Sequence, residues 1–269
     1  MKKCFTINAM RSPVDFIGYD KIISDGIFCG VELFYPYNVS DEQKKIYGEE
    51  VKKLLTKYKI DVVLHLPHGG VNNLVNPDYS PNEEIIKRMK DAIDFASIYN
   101  TKKLTLHLGS AYMDLGLSRD KLIDTLIIVL KDLCDYALKY DMKIMIENMP
   151  RETELGYGPN EILDIIKRVN KDNLKFIMDT GHAHVSSFNE LDYIDILHDY
   201  LYHMHFSDNH GISDEHKPIG SGNIDFIKIF KKLNEYKYNN LHCLEILFND
   251  YHDLINYANK IEEFNYLYQ

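Results

Sequence analysis

Short runs of β-type residues alternate with helical segments along the whole 269-residue chain, and this alternation constrains the fold more than any other feature. A strand followed by a helix, repeated many times, builds a parallel sheet that the helices cover. Eight repeats in a chain of this length predict a single-domain (β/α)8 TIM barrel over residues 1–269. The predicted strands, each given with its last residue, are CFTIN at Asn8, CGVE at Glu32, DVVLH at His65, KLTLH at His107, KIMIE at Glu147, KFIMD at Asp179, LYHMH at His205 and HCLE at Glu245.

Capping residues mark the starts of two predicted helices. Ser40 with Gln43 has the spacing of a capping box, in which each side chain bonds the other residue's backbone. Ser80 with Glu83 has the same spacing, and Pro81 then occupies the first helical position. We therefore expect helices to begin just after Ser40 and Ser80.

Composition limits the cellular compartment and the classes of binding partner that we expect. The chain is 45% hydrophobic, but its apolar runs are too short for a membrane helix, so no membrane partner is expected. The N-terminal MKKCFTINAM meets polar residues at once and is interpreted as a first strand, which favours a cytoplasmic protein. A formal charge of -10 argues mildly against a polyanionic partner. The cysteines form no CxxC pair and are expected to be buried free thiols without a chemical role: Cys4, Cys29, Cys134 and Cys243.

The residues that close the predicted strands share one chemistry. They are mainly His, Asp and Glu, with no Lys, Arg, Ser or Thr among them. A polar residue commonly marks the end of a buried strand, and this explanation suffices for Asn8 or Glu32 taken singly. In a TIM barrel, however, all the C-terminal strand ends meet at the end that carries the active site. Because converging carboxylates and imidazoles are unfavourable without a cation, we expect at least one divalent metal ion there.

Two segments add metal ligands beyond the strand ends. In FIMDTGHAH, His182 follows Asp179 by three residues, and Gly181 is expected to allow the tight backbone path between them. After the seventh strand, Asp214 and His216 alternate, so both would face the same way in extended backbone. Nitrogen and oxygen ligands without a thiolate suit Zn²⁺, Mn²⁺ or Co²⁺.

Neighbouring histidines are assigned other roles. His184 is expected to be a supporting or loop residue and stays outside the metal set. His203 lies two positions before His205 and therefore one layer deeper, where we expect a core histidine bonded to a neighbour.

Four motifs, IENMP, MDTGHAH, DEHKPIGSGNIDF and LEIL, occur in an order that resembles the superfamily of xylose-isomerase-like sugar isomerases and epimerases and endonuclease IV nucleases. The likeness runs over nearly the whole chain. In the endonuclease branch nine residues hold three zinc ions, and the matching positions are His65, His107, Glu147, Asp179, His182, His205, Asp214, His216 and Glu245. In the ketose-epimerase branch one divalent ion is held by four residues, which match Glu147, Asp179, His205 and Glu245. The resemblance thus implies one to three ions.

The sequence departs from the endonuclease branch in several places. That branch has a tyrosine after its first ligand histidine, where HLPH places His68, and DTCH where this chain has DTGH. Its lysine-bearing segment after strand seven is FSDNHG here, and GVELFYP looks like the sugar-isomerase side. The expected rim loops have few basic residues, chiefly Arg119, Arg151 and Lys217, whereas a DNA groove is basic. The acidic residues set against them are Asp78, Glu83, Glu84, Asp114, Asp120, Glu152, Glu154 and Asp214.

The leading hypothesis is a metal-dependent isomerase or epimerase of a small sugar or sugar phosphate. The metal would bind the carbonyl and the adjacent hydroxyl and stabilise an enediolate. Glu147 and Glu245 are the proposed acid/base pair, since strands five and eight can present them to opposite faces of a substrate, although both could be ligands only. Glu32, His68 and Lys217 are the substrate-binding candidates, and Lys217 would replace an arginine that the epimerase branch has after strand seven.

Two other functions stay open. The first is zinc-dependent phosphodiester hydrolysis at abasic DNA, which the nine-residue ligand set favours. The second is a barrel that binds a metabolite without converting it, although such a protein would have no chemical need for these ligands.

Overall fold

Eight parallel strands, hydrogen-bonded in sequence order, close into a barrel in which the last strand pairs with the first. The predicted (β/α)8 TIM barrel is therefore confirmed. A computed structural model supplies the coordinates and describes residues 1–7, 16–248 and 250–266. The strands are β1 (Lys2–Ile7), β2 (Gly30–Phe34), β3 (Asp61–His65), β4 (Lys103–Leu106), β5 (Lys143–Glu147), β6 (Leu174–Asp179), β7 (Leu201–Phe206) and β8 (Leu241–Leu244).

Most of the predicted strand ends lie at the C-terminal edge of the barrel. β3, β5 and β6 end at the predicted residue, β4 and β8 end one residue earlier, and β7 ends one residue later. The predicted end of the first strand, Asn8, lies outside the described residues.

The second strand continues beyond its predicted end. β2 pairs Glu32 with Val63 and goes on to pair Phe34 with His65. The prediction that this strand stops at Glu32 is wrong, because the apolar residues Leu33 and Phe34 extend the ladder by two positions. Glu32 is therefore part of the barrel wall, below the C-terminal edge.

Helices surround the barrel and follow the strands in alternation. They are α1 (Phe16–Ser24), α2 (Asp41–Lys57), α3 (Glu83–Ile98), α4 (Arg119–Leu138), α5 (Pro159–Val169), α6 (Thr180–Val185), α7 (Glu190–Leu197), α8 (Phe226–Glu235) and α9 (Tyr251–Tyr266). None of these helices, within the described ranges, is long and apolar enough to cross a membrane.

One of the two predicted helix caps is correct. The Ser40 side chain accepts the Gln43 backbone N–H, and the Gln43 side chain accepts the Ser40 N–H, so the capping box at α2 is confirmed. The cap predicted at Ser80 is wrong, because α3 begins at Glu83 and its cap is Asn82. The Ser80 hydroxyl is instead engaged with Asp78, at 2.6 Å.

The interior of the barrel changes from apolar to polar along the strands. Side chains two positions apart on a strand face the same way. Val63 precedes His65, and Ile177 precedes Asp179, by two residues on inward-facing positions. Together these deeper residues form an apolar cluster of Cys4, Val63, Met145, Ile177, Leu241 and Cys243. The C-terminal end of the interior is left to histidines and carboxylates.

The four cysteines are free, as predicted. Cys4, Cys134 and Cys243 are buried, but Cys29 is exposed, so the expected burial is wrong for that residue.

Candidate active site

Four side chains from four neighbouring strands converge at the C-terminal end of the barrel. This central set consists of Glu147, Asp179, His205 and Glu245, and one donor atom of each lies within 4.8 Å of the others. His205 Nδ1 lies 2.7 Å from Glu245 Oε2 and 3.1 Å from Glu147 Oε1. The same nitrogen lies 4.0 Å from Asp179 Oδ2. The parallel register, which pairs Asp179 with His205, produces this convergence.

A second group of donors adjoins the central set and shares Glu147 with it. This histidine set consists of His65, His107 and Glu147. Glu147 Oε2 lies 3.0 Å from His107 Nε2 and 3.7 Å from His65 Nε2. His65 donates its other ring N–H to the Leu66 carbonyl, which turns Nε2 towards the carboxylate.

A third group, the loop set, consists of His182, Asp214 and His216. Asp214 Oδ2 lies 3.2 Å from His182 Nε2 and 2.9 Å from His216 Nε2. The other nitrogens of these rings donate to backbone carbonyls, His182 to Asn148 and His216 to Glu245. Because a carbonyl only accepts, both Nε2 lone pairs face Asp214 when the rings are neutral.

The local geometry of these segments differs from the expected one. Gly181 lies within α6 and makes no special turn; an added Cβ would lie 2.3 Å from Ser207 Oγ, so glycine serves close packing there. His216 has φ +45°, so the expected extended alternation with Asp214 is wrong, although the two side chains meet.

Asn148 ties β5 to β6 beneath the central and loop sets. Its side chain donates to the Asp179 carbonyl at 3.0 Å and accepts the Asp179 N–H at 2.8 Å. Its backbone carbonyl accepts a hydrogen bond from His182 Nδ1. Sequence reasoning did not identify this residue, although it directly follows Glu147 in the IENMP motif.

Asp208 anchors the loop that carries the loop set. Its fully buried carboxylate accepts the N–H groups of Gly220 at 2.8 Å, Gly222 at 2.9 Å and Asn209 at 2.9 Å. A Cβ on Gly222 would lie 2.1 Å from the Asn209 carbonyl oxygen, so only glycine fits. This residue was also missed, because nothing in the local sequence links it to glycines twelve or more positions away.

Electrostatics at the central set favour a bound cation. Burial raises the pKa of Asp179 to about 6, and Glu147, Asp214 and Glu245 add to the shift while His182 opposes it. Asp179 Oδ2 is buried and has no hydrogen-bond partner among the described residues. Burial also acts against ionised Glu147, but the charges of His205 and His107 hold the pKa of Glu147 well below its usual value. Ionised, under-bonded oxygens beside imidazole nitrogens fit a divalent cation.

When no cation is bound, imidazoles of the central and loop sets favour the protonated form. Burial alone would lower the pKa of His205, but Glu245, Glu32 and Glu147 raise it well above its usual value. In the loop set burial is again outweighed, and Asp214 and Glu245 raise the pKa of His216 to about 9.

Two of the proposed substrate-binding residues, His68 and Lys217, are partly exposed. The His68 ring centroid is 4.7 Å from that of His65, and His68 Nε2 is buried without a hydrogen-bond partner in the described part of the chain. Burial, with the charges of His65 and His107, lowers the pKa of His68 to about 2. Lys217 Nζ lies 2.6 Å from Glu215 Oε1, so its charge is already paired.

The third proposed substrate-binding residue, Glu32, is fully buried below the central set. Its carboxylate bonds His203 and His205, which confirms the expectation that His203 is a core histidine with a bonded neighbour. His184 lies outside all three sets, as expected, and contacts Glu190 and Asn223.

A closed parallel barrel with its polar groups at the C-terminal strand ends defines the class of TIM-barrel enzymes. Within this class, the chain belongs to the xylose isomerase-like TIM barrel family, whose model matches residues 21–262. The resemblance inferred from the sequence is therefore confirmed.

Similar proteins include sugar epimerases and a probable nuclease. Fructoselysine 3-epimerase of Shigella flexneri is 24% identical over 248 residues, which cover 90% of this chain and 88% of that protein. Probable endonuclease 4 of Mycoplasma mobile is 25% identical over 223 residues, 76% of this chain and 74% of that protein. The crystal structure of a D-tagatose 3-epimerase-like protein superposes with a TM-score of 0.81 at 26% identity, covering 99% of this chain and 98% of the other.

Proposed function

We propose that the protein is a divalent-metal-dependent isomerase or epimerase of a small sugar or sugar phosphate, acting at the central set. The observation that carries this proposal is the pair of carboxylates, Glu147 and Glu245, which lie 3.1 Å and 2.7 Å from His205 Nδ1. They come from β5 and from the residue after β8, strands that are not neighbours in the barrel. Their side chains therefore reach a substrate above His205 from different directions.

Asp179 and His205, with Glu147 and Glu245, would hold the cation. A bound divalent cation supplies Lewis acidity, which polarises a carbonyl and stabilises negative charge developing on its oxygen. Removal of the proton from the carbon beside the carbonyl falls to one of the two glutamates, and the other returns a proton to the opposite face. Glu147 meets one requirement of a proton acceptor, since the imidazoles of His205 and His107 keep it ionised despite its burial.

The kind of substrate is inferred from the relatives. Fructoselysine 3-epimerase and the D-tagatose 3-epimerase-like protein are named for reactions at a carbon beside a ketone. Such chemistry requires a proton acceptor and a proton donor around one carbon, and the two glutamates provide these groups. A small ketose or a ketose derivative is therefore the proposed substrate.

Solvent deuterium exchange at the carbon beside the ketone tests the proposal. Glu147→Gln and Glu245→Gln keep the shape of each side chain but remove its basicity, so each variant should lose exchange by at least about a hundredfold. Glu84→Gln, on an exposed residue of α3, is the matched control and should exchange like the wild type. Full exchange in either site variant, with the fold retained by circular dichroism, would contradict the paired role.

The histidine and loop sets favour a second candidate function. Hydrolysis of a phosphodiester at an abasic site benefits from several adjacent cations, and both sets lie beside the central one. Probable endonuclease 4 is a relative. Against this candidate, Arg119 is bound to Glu161 and Lys217 to Glu215, so neither is free to neutralise a DNA backbone. Chelator-sensitive nicking of a duplex with one abasic site would place this function first.

A further inference from the structure

A carboxylate inside the barrel wall is not used by the proposed reaction. Glu32 projects from the middle of β2 into the interior and has no solvent exposure. Its register partners are Thr6 and Val63, and Val63 belongs to the apolar cluster that also contains Cys4 and Ile177. A charged group in such surroundings is strongly unfavourable unless hydrogen bonds compensate for lost hydration. Glu32 must therefore be bonded by several donors.

Three side chains donate to this carboxylate. Glu32 Oε2 accepts from His203 Nε2 at 2.8 Å and from His205 Nε2 at 2.8 Å. Glu32 Oε1 accepts from the Thr105 hydroxyl at 2.7 Å. All four residues are fully buried.

The bond from His205 decides which of its nitrogens is free. Because the Glu32 carboxylate oxygen is the acceptor in this contact, His205 Nε2 must carry the proton. In the neutral ring, the lone pair is then on Nδ1, which lies 2.7 Å from Glu245 and 3.1 Å from Glu147. The ring therefore presents its only basic atom to the central set.

We propose that Glu32 is a positioning residue that keeps His205 in the Nε2–H tautomer and aims Nδ1 at the cation of the central set. The inference rests on the proposed function, because it presumes that the central set binds a metal ion. Glu32 acts through His205 and does not contact the substrate. His203 and Thr105 hold the carboxylate in place from its other sides.

Cobalt binding to an isosteric variant tests this role. In Glu32→Gln the side-chain amide can donate to His205 Nε2, which permits the opposite tautomer and turns Nδ1 into a donor. Loss of such a supporting carboxylate lowers metal affinity about 10–100-fold, so we expect that decrease for Co²⁺ and a changed visible absorption spectrum. Glu84→Gln, which makes the same change on an exposed residue of α3, is the matched control. This variant should bind Co²⁺ as the wild type does.

The tautomer itself is measured in the wild type by ¹⁵N NMR of the Zn²⁺-loaded protein, with the His205 signals assigned by their loss in His205→Asn. A protonated Nε2 supports the proposal, and a protonated Nδ1 overturns it even if Glu32→Gln does not fold. Unchanged Co²⁺ affinity in a folded Glu32→Gln also overturns it while leaving the proposed function intact. If the wild type binds neither Co²⁺ nor Zn²⁺, the proposed function fails and this inference fails with it.

Discussion

Glu147 Oε2 lies 3.0 Å from His107 Nε2, so the residue proposed as a base in the central set also belongs to the histidine set. Its other oxygen, Oε1, lies 3.1 Å from His205 Nδ1. A cation in the central set would engage Oε1 and leave Oε2 for proton transfer, whereas a further cation in the histidine set would engage Oε2 as well, and coordination lowers the basicity of a carboxylate. The number of bound ions therefore decides whether Glu147 is available for proton transfer.

Excess metal should inhibit isomerisation. We expect turnover to be highest with about one Zn²⁺ per chain and to fall as the histidine set fills, because Glu147 then loses basicity. His107→Ala should remove the inhibition, with some loss of activity at low metal because His107 also helps to keep Glu147 ionised. The measurement is turnover in a titration of the metal-free protein with Zn²⁺. Isomerisation turnover that keeps rising as further ions bind would contradict this inhibition and the role of Glu147 as the base.

Replacing Asp179 should raise the stability of the metal-free protein and lower its affinity for metal. In the metal-free protein the pKa of Asp179 is raised to about 6 from 3.8, so the folded state holds this proton more tightly than the unfolded chain. The associated stabilisation is complete below about pH 4 and is lost as the pH rises through about 6. At neutral pH the ionised, buried carboxylate is therefore unfavourable.

Asp179→Asn removes this unfavourable charge and keeps an oxygen that can accept the His182 N–H. We expect metal-free Asp179→Asn to be more stable than the wild type by about 1–3 kcal/mol at neutral pH, with the difference vanishing near pH 4. Its Co²⁺ affinity should fall sharply, since a ligand carboxylate is gone. Guanidinium unfolding at both pH values measures the first effect. A variant less stable than the wild type at neutral pH would refute the claim that the ionised Asp179 carboxylate is unfavourable in the metal-free protein.

Metal binding at the loop set should release protons. The pKa of His216 is raised to about 9, so below that pH a cation must displace its proton. Zn²⁺ affinity of the loop set should rise with pH, by up to about tenfold per unit for one proton, and level off above about pH 9. Calorimetry in buffers of different ionisation enthalpy counts the protons. His216→Asn should reduce the slope, and a pH-independent wild-type affinity would disprove the linkage.

The loop anchor at Asp208 makes Gly222 sensitive to substitution. Gly222→Ala places a methyl group 2.1 Å from the Asn209 carbonyl oxygen, so the loop must shift. We expect a loss of about 1–3 kcal/mol in the free energy of unfolding and weaker Zn²⁺ binding at the loop set. Gly70→Ala is the control, since an added Cβ there meets nothing within 4 Å. Equal stability of the two variants by thermal denaturation would refute the role of Asp208 as the loop anchor.

The central set was predictable from sequence because its members are inward-facing residues at the ends of apolar strands. Parallel register brings such ends together whatever their separation along the chain. The end of β2 was not predictable in this way: a polar residue in mid-strand, Glu32, resembles a strand end when its partners His203 and His205 lie more than 170 positions away. A buried carboxylate bound by remote donors leaves no local signal.

Competition between neighbouring polar groups for hydrogen bonds explains other errors of the predictions made from the sequence. The Ser80 hydroxyl fits a capping box by spacing, but Asp78 captures it and Asn82 caps α3. Asp208 was missed for a related reason, because its partners are backbone amides of a distant glycine turn rather than side chains. Such contacts follow from the folded loop and not from residue spacing.

The claim on which the account depends is that the central set holds the catalytic cation. Anomalous diffraction from crystals of the active, metal-loaded protein, recorded at the absorption edge of the bound metal, tests it directly. We predict a peak about 2.0–2.3 Å from donor atoms of Glu147, Asp179, His205 and Glu245. Active protein with that position empty, or with metal only at the histidine and loop sets, would contradict it.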